Sequence, residues 1–72
     1  MTDTATFQDS VTAAAERIAE AIPQEGEVTA WELKVKLHMP STMLYAALGY
    51  LMGRERVRMV QDGLDHRVSR RK

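Results

Sequence analysis

Arginine is the residue type whose placement here points most directly to chemistry. Arg54, Arg56, Arg58, Arg67 and Arg70 gather in the last third of the chain, with Lys34 and Lys36 ahead of them. Cations so grouped can hold an anion such as phosphate through charge-assisted hydrogen bonds. Ser41, Thr42 and Tyr45 carry hydroxyls that can donate to phosphate as well. Other chemistry has little to work with. There is no Cys to bind a metal or form a disulfide, and the two histidines, His38 and His66, are too few for a zinc site without carboxylates. Asp62, Asp65 and His66 are close in sequence, but Asp62 belongs to a turn, and no nucleophile and base are held together. His38 fits a helix end better than a ligand set. We therefore expect no enzyme, catalytic residue, metal, cofactor or small-molecule substrate.

These side chains must be positioned by a chain of 72 residues, enough for one small domain. Hydrophobic residues at 44% and charged residues at 28% describe a globular chain. Such a core is thin, and association with a second copy is one remedy. The net charge is zero, unlike a strongly basic nucleic-acid binder. Its distribution is uneven. Residues 1–32 carry seven acids against Arg17, and residues 33–72 carry nine bases against Glu55, Asp62 and Asp65. The folded chain can present one basic face to an anion, pair its halves between copies, or scatter its charges. The start of the chain has neither a basic nor an apolar leader segment. The longest uncharged stretch is Leu37–Gly53. A helix within it would span roughly 20 Å, too short for a bilayer core of about 30 Å. A cytoplasmic protein is expected.

Phe7, Val11, Ala15, Ile18 and Ile22 recur at helical spacing and predict a first helix over 7–22, capped by Asp3 or Thr6 and stopped by Pro23. Residues 1–6 are expected to be disordered. Val28 fits a short strand. Thr29-Ala30-Trp31-Glu32 reads as a capping box opening a second helix over 29–38, with Ala30, Leu33 and Leu37 inward. Pro40 suits the first position of a third helix over 41–53, striped by Leu44, Leu48 and Leu51 and closed by Gly53. Asp62-Gly63 between two alternating runs signals a hairpin over 56–69. With that pair as the turn, Gln61 faces Leu64, Met59 faces His66, Val57 faces Val68 and Arg58 faces Arg67. Residues 70–72 read as a mobile basic tail. The five methionines read as core filler.

Helix, short strand, helix, turn, helix and hairpin in this order define a winged helix-turn-helix, a mostly helical α+β fold over 7–69. The run Gly26-Glu27-Val28-Thr29, then Glu32-Leu33-Lys34, then Leu44-Tyr45-Ala46-Ala47-Leu48-Gly49-Tyr50-Leu51 resembles a family of small bacterial stand-alone winged helix-turn-helix domains of unassigned function. Its third helix carries Leu-Tyr-x-Ala-Leu-Gly-Trp-Leu-Ala-Arg-Glu. Leu44, Tyr45, Ala47, Leu48, Gly49, Leu51, Arg54 and Glu55 match that pattern. Tyr50 replaces the Trp, Met52-Gly53 departs from the usual Ala, and Trp31 stands where the family tends to be polar. The resemblance covers about residues 11–69. It implies a fold commonly called DNA-binding by its shape, and no particular ligand.

Two functions remain open. One is a small DNA-binding or transcription-associated protein that meets double-stranded DNA through Ser41, Thr42, Tyr45, Arg54, Arg56, Arg58, Arg67 and Arg70. The third helix has no Arg, Lys, Asn or Gln, the side chains that make bidentate base contacts, so sequence reading by it looks poor. Arg58 opposite Arg67 would be a repulsive pair, relieved by an anion or by the side chains splaying apart. The other is a protein-interaction or homodimerisation module. Ala46, Gly49 and Gly53 form a smooth strip bordered by Tyr45 and Tyr50, packed by the chain's own wing or first helix or by a second copy. Trp31 and Val35 either widen the core or form an exposed partner patch.

Overall fold

The computed structural model describes residues 6–71. Met1, Asp3, Lys72 and most of the segment expected to be disordered lie outside them. Three helices, α1 (Phe7–Ala21), α2 (Ala30–Leu37) and α3 (Ser41–Gly53), pack with strands β1 (Val28–Thr29), β2 (Val57–Asp62) and β3 (Asp65–Arg70). The strands form one antiparallel sheet in the order β1-β3-β2. This is the winged-helix layout, α+β and mostly helical.

Local chemistry sets the element ends. Thr6 opens α1 with a capping box. Asp9 N donates to Thr6 Oγ1 at 3.1 Å, and Thr6 N donates to Asp9 Oδ2 at 3.2 Å. Thr29 and Glu32 repeat the device at α2, with backbone–side-chain bonds of 2.8 and 3.0 Å. Pro40 is the N-cap of α3, one position before the first helical residue. Two helices end on non-glycine residues with positive φ, His38 at 52° and Glu55 at 58°. At each, the next residue donates its N–H back into the last turn, Met39 to Lys34 O and Arg56 to Leu51 O, the Schellman arrangement. Glu55, two residues beyond Gly53, therefore makes the left-handed turn that was expected of Gly53.

Ile18, Leu33, Leu44, Leu48, Leu51 and Val68 are fully buried at the centre. Burying each contributes roughly 1.5–3 kcal/mol. Ala14, Ala15 and Ala47 are also buried, which lets α1 and α3 approach closely. Two residues expected inside stay outside: Phe7, expected in the first helical stripe, and Met52, expected as core filler, are exposed. Among the other described methionines, Met39 is buried and Met43 and Met59 are half-buried.

The hairpin register differs from the expected one. Asp62 pairs with Asp65, Gln61 with His66, Val60 with Arg67, Met59 with Val68, Arg58 with Ser69 and Val57 with Arg70. The turn is Gly63-Leu64. Gly63 has φ 66° and Leu64 is not in the positive region. That is the pattern of a type II′ turn with glycine first. An Asp62-Gly63 type I′ turn would force Asp62 itself to positive φ. The shift moves each partner by two residues, so every side chain keeps its face and Val57 and Val68 remain in the core. Arg58 and Arg67 are not opposite one another.

Candidate functional site

The structure separates the expected nucleic-acid residues into two groups at opposite ends of α3. Ser41, Thr42 and Tyr45 lie exposed on its first turns. The wing tip stands beside them, with no arginine: Ser41, Leu44 and Tyr45 share a groove of about 350 Å³ with Trp31, Lys34, Asp62, Leu64 and Asp65. Carboxylates at that end oppose the approach of phosphate.

The arginines other than Arg67 sit at the other end; Arg67 pairs with Asp62 near the wing tip. Arg71 N donates to Arg56 O at 3.0 Å, which extends the hairpin ladder by one step. Arg56 and Arg71 therefore face each other across the strands, next to Arg58 and Ser69 and on the same outward face. The like-charge pair sought at Arg58 and Arg67 is here instead. Arg56 leans toward α1, where its Nη1 lies 3.5 Å from Glu16 Oε2. Arg58 and Arg71 form no ion pair among the described residues, and with Ser69 and Arg70 they line a polar depression of about 580 Å³. Arg54, just past α3, stacks on Tyr50 with its guanidinium carbon 5.4 Å from the ring centre.

Two of the expected anion binders are engaged by the fold. Arg67 is paired on both sides, with Glu27 Oε1 at 3.5 Å and Asp62 Oδ2 at 3.7 Å. Arg70 is not part of a mobile tail. It ends β3 on the inward face and donates to Ala19 O at 2.7 Å and Ile22 O at 3.1 Å. The last turn of α1 has no basic residue of its own, so Arg70 supplies the cation that a helix C-terminus favours. Arg17 does the same for α2 through Leu37 O at 3.0 Å. No local sequence signal identifies either contact, because the partners lie 51 and 20 residues apart.

The expected interaction residues divide as well. Trp31 is 61% exposed and Val35 is 52% exposed, so both lie outside the core on α2. Ala46 and Tyr50 are half-buried and pack against the core. At Gly49 and Gly53 a Cβ would meet nothing within 4 Å, so neither the wing nor α1 covers them. That rules out the packing expected within the chain. His66 packs edge-on against Tyr45 at 5.7 Å, and its buried Nδ1 has no hydrogen-bond partner among the described residues.

Among the described residues, no three of His, Asp and Glu come together as a metal-binding group, and no helix is long and apolar enough to cross a membrane. Comparison with models of protein families, with curated proteins and with solved structures finds no match.

Proposed function

We propose that this chain holds the phosphate backbone of double-stranded DNA on the outer face of its wing base, without reading the base sequence. The observation that carries this reading is the grouping of Arg56, Arg58 and Arg71 around Ser69 on one exposed strand face. Arg56 is offset by Glu16, but Arg58 and Arg71 have no ion pair among the described residues, and a phosphate lying over them offsets their repulsion. Arg54 extends the same basic end of the molecule. Base reading has no support in α3, whose outward side chains near its start are Ser41, Thr42 and Tyr45 beside two aspartates.

Titration of a labelled duplex at 50 and 200 mM salt tests the reading. Two to three phosphate contacts, each with a slope of about −0.9, weaken binding about 10-fold to 40-fold over that range. Arg58→Glu with Arg71→Glu should abolish binding, and duplexes of unrelated sequence should bind alike. No binding at 50 mM, or a strong sequence preference, refutes it.

The uncovered glycines favour a second reading, self-association through the Ala46, Gly49 and Gly53 strip. Glycine inside a helix costs about 1 kcal/mol relative to Ala. No neighbour among the described residues accounts for it. A solution mass of two chains, reduced to one by Gly49→Leu, would establish it.

A further inference from the structure

We infer that the groove between α2, the start of α3 and the wing tip is a docking site for a basic peptide segment of another protein that inserts a large apolar side chain. Its walls are Trp31, Tyr45 and Leu64, and its floor is the buried Leu44. Leu64 is fully exposed at the tip of the hairpin, and Trp31, on α2, shows most of its surface. An apolar pair of this size facing one groove matches the anchor-and-pocket organisation of protein interfaces. At about 350 Å³ the groove is near the lower end of ligand pockets, room for one or two side chains rather than a cofactor.

Charge selects the occupant. Asp62 and Asp65 lie on the wing side of the groove. Asp65 Oδ1 accepts from His66 N at 2.8 Å and Trp31 N at 3.3 Å, and no described residue donates to its Oδ2. Asp62 meets Arg67 at 3.7 Å, and the Asp62 side chain is 61% exposed. The one cation of the lining, Lys34, holds its ammonium 5.6 Å over the Trp31 ring. A segment with Lys or Arg beside its apolar anchor therefore finds two carboxylates. A second copy docked about a two-fold axis would instead bring its own Asp62 and Asp65 against these. A nucleic acid would bring phosphates against them.

Trp31 is the only tryptophan, so its fluorescence reports the groove directly. The probe is a synthetic peptide Lys-Lys-Leu-Arg-Phe-Lys-Lys added to the full chain at 50 mM salt. A saturable blue shift of Trp31 emission is expected, weakened at least 5-fold by Leu64→Ser and by Asp62→Asn. Both positions are exposed, and circular dichroism checks that each variant is folded. The peptide with Glu in place of its basic residues should give no shift. The proposal is overturned by no shift up to 1 mM peptide, by an equal shift with the acidic peptide, or by unchanged binding in both variants. A shift produced by raising protein concentration alone assigns the groove to a second copy and overturns it too. A shift produced equally by duplex DNA also overturns it. Arg58→Glu with Arg71→Glu, which should abolish DNA binding, should leave the peptide response intact, so the two readings fail separately.

Discussion

Arg70→Met isolates what the last residue of β3 does for α1. Met keeps most of the aliphatic stem and removes the guanidinium, which now donates at 2.7 and 3.1 Å to two carbonyls at the end of the helix. Hydrogen bonds involving a charged partner contribute about 1.5–3 kcal/mol net, and the attraction to the helix C-terminus is part of the same interaction. A loss of about 2–3 kcal/mol is expected on that basis. A domain of this length has roughly 4–11 kcal/mol in all, from about 0.05–0.15 kcal/mol per residue, so the change is large. With m near about 1 kcal/mol/M in urea for a small domain, the midpoint should fall by about 2 M. Arg70→Lys should recover about half, because an ammonium on a flexible stem does not reproduce the two-pronged geometry. Arg71→Met is the control. As an exposed substitution it should stay within about 0.5 kcal/mol of the parent. Urea unfolding followed by helix circular dichroism measures all three. A midpoint shift below about 0.5 M for Arg70→Met, with m unchanged, would refute the capping role and return Arg70 to the surface charges.

Two further substitutions test the helix ends and faces. At Gly49 an added methyl meets open space. Gly49→Ala should therefore raise stability by about 1 kcal/mol, seen as a melting temperature about 4–8 °C higher. A loss of stability at dimer-forming concentrations but not in dilute solution would show that a second copy occupies that space. Glu55 has φ 58°. Glycine takes that conformation without the side-chain penalty, so Glu55→Gly should stabilise by about 0.5–1 kcal/mol in the same melts. An unchanged or lower melting temperature would mean that the Glu55 side chain contributes more than its backbone costs.

What the sequence made legible was local. The Thr29-x-x-Glu32 capping box is carried within four residues, and it marks the start of α2 correctly. The Leu44, Leu48 and Leu51 stripe places α3 on the core with its ends at Ser41 and Gly53. Asp62-Gly63 signalled a hairpin, but two turn types compete for such a sequence. Which residue takes the positive φ decides the register, and here Gly63 alone takes it. Trp31 was ambiguous because α2 has only eight residues, and one turn more or less of apolar face does not fix where the core ends. The roles of Arg67 and Arg70 were out of reach, because a guanidinium's partners across the fold leave no mark in its neighbourhood. Counting arginines therefore overstated the cations available to an anion. Arg54, Arg58 and Arg71 are the ones left without a carboxylate or carbonyl acceptor among the described residues, and Arg54 stacks on Tyr50 instead.

The order β1-β3-β2 leaves β2 with one unpaired side. A free strand edge is a template on which other chains can add, and charged side chains along it are a common protection against fibrous aggregation. Arg56 and Arg58 alternate there with Val57 and Met59, and Val60 follows. Removing the arginines by alanine would leave a run of Ala, Val, Met and Val, strand-forming and nearly uncharged, of the kind that seeds cross-β stacking. The same residues proposed to hold a ligand thus also guard the free strand edge. Charge reversal at Arg58 preserves that protection, whereas truncation to alanine sacrifices it and would confuse lost binding with lost solubility.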